Sequence, residues 1–463
     1  MRRREKFANI VLTGAITFCL AVLIHSTFLS PLSPKELTKY YLVAVAGILL
    51  FGFALLKWRE ETKVNFALAL LSIGFGLYLL EVLLFFGVAG GIRKPTEERI
   101  RLEGIKRAQQ SGVPFDKRTK LQVLMDLRKE GIEAYPGFHA FFLRGTGGVD
   151  VGEDHIYPLG GVSNKLTILC NESGEWSVYQ SDEHGFNNPP GIYENRALDM
   201  VLIGDSFTHG ACVKPGEDIG GQLRQRNRQV LNLGNIGNGP LAELATLKEY
   251  GAPVRPRIVL WFYYEENDIE GLISEKKSSF LLQYLERDFS QGLLKRQPEI
   301  DQFLVNYIKK QEKIQASRNR LSYKFRSISR LYDLRRELKF IISKPSPTEV
   351  SQREASSLPL FRKILSEAKD QVNSWDGQLY FVYLPAWDRY GGTPNNDNLH
   401  YRNDVLSLVE ELEIPIIDFH DVISTHPDPL SLFPFRMPAH YAAEGYRLLA
   451  EQIDTYLRLN FAE

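Results

Sequence analysis

A serine, a histidine and an asparagine sit where acyl chemistry would need them. Ser206 lies in "VLIGDSFTHG" (201–210), where an apolar run ends abruptly in Gly-Asp-Ser. Two readings compete for it. One is the N-cap of a helix. The other is a nucleophile at the carboxyl edge of a parallel sheet, where open α/β folds bind their ligands. Acyl transfer requires a nucleophile, a base for its proton and donors for the developing oxyanion. His440, opening "HYAAEGYRLLAEQI", is a base of the right type. Backbone N–H groups at Ser206 and at Gly237 within "NLGNIGNGP" (232–240), with the side-chain amide of Asn267, are donors of the right type. Gly234, Gly237 and Gly239 let the backbone approach a substrate closely.

The elements that must hold these residues follow from a β-α alternation after Ala197. Near-continuous apolar runs occur at "LDMVLIG", "QVLNLGN" (229–235), "RIVLWFYYEEND" (257–268), "QLYFVYLPA" (378–386) and "IPIIDF" (414–419), with helical patterns such as 241–250 and 360–374 between them. Such runs predict a parallel sheet covered by helices on both faces, and hence an α/β fold. Ser206, the glycine stretch and Asn267 each end one strand. A charged segment from Glu270 to about Pro347 has apolar residues at helical spacing and predicts a helical insertion beside the site. Before the alternation, 131–195 is rich in glycines and aromatics, and "NKLTILCNESGEWSVYQSDEHGFNNPPG" predicts short strands in a small β-rich lead-in. Residues 93–128 are charged and helix-like, a juxtamembrane stalk.

The first ninety residues are of another kind. Apolar stretches run from about Ala8 to Leu29, Tyr41 to Leu56 and Phe66 to Gly90. A helix needs roughly 20 apolar residues to cross the hydrocarbon core, so these predict three membrane helices. No convincing small-residue cleavage site follows "MRRREK". Basic residues flank the start of the first span (Arg2, Arg3, Arg4, Lys6) and the loop between the second and third (Lys57, Arg59, Lys63), against only Lys35 and Lys39 in the loop between the first two. This asymmetry predicts a cytoplasmic N-terminus and an extracytoplasmic catalytic region, although the basic cluster from Arg93 to Arg107 pulls the other way. Glu81, near the end of the third span, is either functional, snorkelling to the interface or turned toward another helix. The expected organisation is therefore a transmembrane region (1–92), a stalk and lead-in (93–195) and a catalytic domain (196–463) with its insertion at about 270–347. The 56 basic and 56 acidic side chains give no electrostatic reason to expect a nucleic-acid partner. Three cysteines are too few for a disulfide scaffold, but Cys170 and Cys212 would share an oxidising compartment and could pair.

Taken together, "GDS", "GNIGNG", "END" (266–268) and "HYAAEG" (440–445) resemble, in order, the four blocks of the SGNH, or GDSL, hydrolase superfamily. The resemblance covers Ala197 to about Phe461 outside the insertion. It implies an SGNH-like fold with Ser206 as nucleophile, His440 as base, and Gly237 and Asn267 as oxyanion donors. The membrane anchor with a "D-x-x-G-F" lead-in (Asp182 to Phe186) resembles proteins that handle acyl groups on cell-surface polysaccharides. One departure concerns the acid, which in the superfamily lies three residues before the histidine; here that position is Met437. Asp418, Asp421 or Asp428, a backbone carbonyl in a Ser-His dyad, or a weakened site would account for it, and the proline-flanked loop of "HPDPL" favours Asp428. Arg436 has the chemistry to recognise an anionic substituent or to form a surface ion pair. The His/Asp-rich stretch 418–428 matches no defensible zinc spacing. His209 reads as a helix-face residue, and "GNIGNG" lacks the spacing of a dinucleotide fingerprint. The expectation is a membrane-embedded serine esterase or O-acyltransferase acting on an acylated glycan or other ester, without cofactor or metal, alongside surface-polysaccharide assembly proteins. The alternative is a catalytically weakened glycan-binding or polysaccharide-assembly protein that keeps the fold.

Overall fold

The computed structural model describes residues 2–28, 34–86, 96–143, 147–151, 154–194, 198–318, 321–343, 347–391 and 401–460. The boundaries expected at 92/93 and 195/196 fall outside them. The chain divides into two compact units, Met1–Arg93 with Ser317–Lys344, and Lys94–Ala316 with Pro345–Glu463.

In the second unit the strands are β1 (Ala134–Pro136), β2 (Val149–Val151), β3 (Asp154–Ile156), β4 (Leu166–Ile168), β5 (Val178–Gln180), β6 (Met200–Ile203), β7 (Val230–Asn232), β8 (Ile258–Tyr264), β9 (Gln378–Leu384) and β10 (Ile416–Asp418). The last five are the five apolar runs, and they form one parallel sheet in the order β10-β9-β8-β6-β7. Counted from β6, this is the doubly wound order 2-1-3-4-5, whose reversal point lies between the first and third strands. The alternation along each strand splits the core in two. Val201, Ile203, Val259 and Trp261 enter one apolar cluster, whereas Met200, Leu202, Ile258 and Leu260 enter the other. Both faces are thus buried, which is why the runs read as continuously apolar rather than alternating. Each fully buried large side chain contributes about 1.5–3 kcal/mol.

The lead-in belongs to the same unit as this sheet. β1 pairs in parallel with β4, and β4 antiparallel with β5, while β2 and β3 form a separate hairpin. Asp182 of the D-x-x-G-F segment closes a turn: its carboxylate accepts the N–H groups of His184 and Phe186, each at 2.9 Å, and the Asn188 amide at 2.8 Å. Burial pushes the Asp182 carboxyl up to about 7. Gly185, at φ +83°, packs so closely on Gly161 that a Cβ would meet its carbonyl oxygen at 2.2 Å. Asn188 then acts as an extra strand residue at the sheet edge, exchanging two 2.8 Å hydrogen bonds with the backbone of Asn232 in β7. The motif therefore joins the lead-in to the strand that carries the glycine block.

Among the described residues, the first unit contains three helices long and apolar enough to cross a membrane, α1 (Arg2–Phe28), α2 (Pro34–Lys57) and α3 (Glu60–Phe85). Two further helices, Leu321–Ser329 and Tyr332–Ser343, pack on α3. The segment expected as an insertion beside the site is thus divided, and Ser317–Lys344 is built into the membrane unit. Glu81 explains the attachment. Its side chain is fully buried, and its two carboxylate oxygens accept the backbone N–H groups of Asp333 at 3.0 Å and Leu334 at 2.7 Å. These are orphan donors of the first turn of the Tyr332–Ser343 helix, where a negative charge also complements the helix dipole. One turn before Glu81, the Tyr78 hydroxyl donates to the Ser329 carbonyl at 3.0 Å. In the full-length protein, Glu81→Ala should cost about 1–2 kcal/mol of local stability and accelerate tryptic cleavage at Arg335 and Arg336; unchanged cleavage would show that the carboxylate does not hold this helix.

Candidate active site

Ser206 is placed by a sharp exit from β6. Gly204 admits no side chain there, since a Cβ would meet Thr208 Oγ1 at 2.1 Å. The N-cap of the short Ser206–His209 helix is Asp205, not Ser206: its carboxylate accepts the Phe207 N–H at 2.9 Å. Gly210, at φ +77°, ends the helix after its one turn. The cap role thus falls to the neighbour, and the serine hydroxyl is left for other work.

That hydroxyl lies 2.9 Å from Nε2 of His440. Nδ1 of His440 is 3.0 Å from each carboxylate oxygen of Glu172, and the His440 backbone N–H donates to the same carboxylate at 2.9 Å. Serine, imidazole and carboxylate form a continuous chain in which Nδ1–H donates to Glu172 and Nε2 is left to accept the serine proton. The carboxylate beside His440 is therefore that of Glu172 and not, as expected, that of Asp428. The Asp428 carboxylate is held by the Arg436 guanidinium through two 2.7 Å hydrogen bonds, which also settles Arg436 as half of an ion pair. Asp418 pairs with Arg402, and the ring of His420 is bonded to the Tyr390 hydroxyl at 2.7 Å, so the His/Asp-rich stretch does not converge on one point. Met437 is buried where the superfamily's acid would stand.

Glu172 reaches the histidine from the turn between β4 and β5. Asn171 shapes that turn by accepting the Gly174 N–H at 2.9 Å, with Gly174 at φ +108°. Two links then tie the turn to the segment that follows Ser206. Cys170 is disulfide-bonded to Cys212, and the Ser177 hydroxyl donates to the Val213 carbonyl at 2.7 Å. On the other side, Phe435 and Arg436 adopt left-handed backbone conformations (φ +50° and +57°) just before the histidine. Arg107 steadies this bend by donating to both of their carbonyl oxygens, at 3.0 and 3.2 Å. Burial alone would lower the His440 pKa, but the charge and hydrogen bond of Glu172, with Asp205 and Glu266 nearby, outweigh it and raise the pKa above the ordinary histidine value.

The residues expected as oxyanion donors come from the next two strand ends. Gly234 lies so close to the Ser206 helix that a Cβ would touch the His209 nitrogen at 2.4 Å, and the Asn232 amide donates to the Thr208 carbonyl at 2.7 Å. Gly237 follows at φ +74°. Asn267 opens the Asp268–Glu275 helix, whose buried last residue accepts the N–H groups of Gly239 at 2.8 Å and Leu241 at 3.0 Å. The glycine and asparagine blocks are thereby locked together. Asn267 Nδ2 donates to Asp205 at 3.1 Å, one residue from the nucleophile. His209 is no second base: it is buried with Nδ1 at 3.2 Å from the Gly234 carbonyl, and burial lowers its pKa to about 4.

Serine after the first strand, glycine block after the second, asparagine after the third and histidine before the last helix is the arrangement the four blocks imply. The described fold is an α/β fold built on a five-stranded parallel sheet, as that resemblance implies. No protein-family model and no curated protein matches the sequence. Similar solved structures include a lipase/acylhydrolase from Enterococcus faecalis (13% identity, 56% of this chain and 95% of that one, TM-score 0.31). Others are an acetyl xylan esterase (11%, 56% and 98%, 0.29) and a protein assigned to the G-D-S-L lipolytic family from Desulfitobacterium hafniense (15%, 56% and 98%, 0.32). At these scores the overlaps carry no argument about individual residues.

The acid was missed because it lies upstream of every recognised block. The two cysteines were the available signal. Pairing Cys170 with Cys212 brings Glu172, two residues past the one, toward Ser206, six before the other. Among the described residues, the grouping with metal-like spacing is Glu172, Cys212 and His440, but its sulfur is in the disulfide. Glu172→Gln should lower kcat by about 10²–10⁴ and move the acidic limb of kcat/KM to lower pH, because removing the carboxylate lets burial depress the His440 pKa. Asp428→Ala should leave both nearly unchanged. The reverse pattern in a pH–rate series would restore Asp428 as the acid.

Proposed function

We propose that this protein is a membrane-anchored serine esterase or O-acyltransferase that works through an acyl-enzyme on acylated cell-surface glycans. The observation that carries the enzymatic reading is the Ser206 Oγ to His440 Nε2 contact of 2.9 Å, backed by Glu172. Ser206 Oγ attacks the ester carbonyl as His440 Nε2 takes its proton. The oxyanion is met by the N–H groups of Ser206 and Gly237 and by the Asn267 amide. The tetrahedral intermediate collapses, the alcohol leaves with the proton from His440, and Ser206 is acylated. Water, or a sugar hydroxyl in the transferase, then gives its proton to His440 and attacks the acyl carbon, and Ser206 Oγ leaves with that proton as the acid or new ester is released. The case for a non-catalytic protein rested on Met437, and a carboxylate arriving from elsewhere weakens it.

A glycan ester is the substrate favoured by the anchor and the Asp182–Phe186 resemblance. Extracytoplasmic placement is favoured by the basic residues around α1 and between α2 and α3, and by the Cys170–Cys212 disulfide, which belongs to an oxidising compartment. Surface-polysaccharide assembly proteins are the partners this reading expects.

A fluorophosphonate probe should label wild-type full-length protein, and Ser206→Ala should lose both the label and turnover of a small acyl ester. Equal turnover by the two would remove Ser206 from the mechanism. Asn267→Ala should lower kcat by on the order of 10²–10³, the usual consequence of losing one oxyanion donor. For topology, a C-terminal reporter that functions only outside the cytoplasm should be active; activity from a cytoplasmic reporter alone would invert the orientation and remove the glycan reading.

A further inference from the structure

The membrane unit contains a cavity of 810 Å³ between α1, the start of α2 and the Tyr332–Ser343 helix. Its lining divides by chemistry. Phe18, Val22 and Val43 are apolar and come from the spans, whereas Lys39, Arg335 and Lys339 place three cations on the same space. Arg335 and Lys339 are four residues apart and share one helix face. Among the described residues none of the three cations has a carboxylate partner, although the helix has acids to offer: Arg336 next door pairs with Asp333 at 3.2 Å and Glu337 at 3.3 Å. Three unneutralised cations converging beside apolar walls repel one another, and burial of the site in lipid would raise that cost.

The surroundings say what kind of anion would offset it. Leu338, Ile341 and Ile342 on this helix and Leu321 and Phe325 on the preceding one are exposed, beside spans that are themselves apolar. Amphipathic helices of this type lie in the membrane interface, with their apolar side toward the acyl chains. Glu81 fixes the helix one residue before Arg335, so the cationic face has a set position. We propose that this cavity binds an anionic phospholipid, with its phosphate held by Lys39, Arg335 and Lys339 and its chains lying along Phe18, Val22 and Val43. A basic pocket between membrane helices is suited to such a headgroup. A water-soluble phosphate would leave the apolar wall unused. The site belongs to the membrane unit alone and stands independently of the chemistry at Ser206.

The test uses full-length protein in a non-ionic detergent and counts bound lipid by native mass spectrometry. Dioleoylphosphatidylglycerol should be retained with roughly tenfold preference, or more, over dioleoylphosphatidylcholine, which has the same chains and a zwitterionic headgroup. The variant K39Q/R335Q/K339Q should lose that preference, and R336Q, whose guanidinium is already paired, should keep it. Glycerophosphoglycerol, the headgroup without chains, should not compete. Equal retention of the two lipids by wild type would overturn the proposal, as would undiminished preference in a triple variant with wild-type circular dichroism. Full competition by glycerophosphoglycerol would also overturn it, in favour of a soluble anion. Should the triple variant not fold, the wild-type comparison and single variant K339Q, expected to weaken the preference, decide the matter.

Discussion

The Glu172 carboxylate receives both the Nδ1–H and the backbone N–H of His440, and the catalytic end of the domain is organised around that clamp. One bond would orient the ring; the second also fixes the chain that carries it. The clamp demands that a turn some 270 residues away in sequence reach the histidine, since the two are separated by 268 positions. Everything around the turn serves this requirement. The β1-β4-β5 sheet supports it, the disulfide and Ser177 tie it to the segment after the nucleophile, and Asn188 anchors the following loop to β7. The lead-in thus frames the candidate site and supplies the carboxylate beside the His440 imidazole.

What the sequence made legible follows from the range of the interactions involved. The five parallel strands were readable because sheet burial on both faces leaves a continuous apolar run, a local signal. The placement of Ser206, Gly237, Asn267 and His440 at the ends of such elements was readable because each follows or precedes one within a few residues. Glu172 was not, because its role depends on a long-range pairing of cysteines that spacing alone does not specify, and the superfamily pattern directed attention to Met437 and its neighbours. The helices at 321–343 were correctly readable as helices from their periodicity. Their membership in the membrane unit was not, because it rests on Glu81, whose partners are backbone N–H groups that leave no trace in composition.

Zero formal charge also proved a poor guide to local electrostatics. Buried carboxyl groups at Glu81, Asp182, Asp205 and Glu275 each accept backbone or side-chain donors and hold loops and helix ends. Paired arginines such as Arg436 and Arg336 cancel locally. An overall balance of 56 against 56 therefore coexists with a cavity lined by three cations that have no carboxylate partner among the described residues.

The contact between Glu81 and the Tyr332–Ser343 helix has a consequence for biogenesis. The carboxyl group and its first donor are 252 residues apart in the chain. At a synthesis rate of about 5–20 residues per second, α3 is complete for roughly 10–50 s before those donors exist. During that interval the span carries a carboxyl group without its final partners, in a segment where an unpartnered polar group is costly. Most of the hydrolase unit up to Ala316 is made in the same interval. The membrane unit, although its helices come first from the ribosome, is therefore among the last parts of the molecule to reach its final structure.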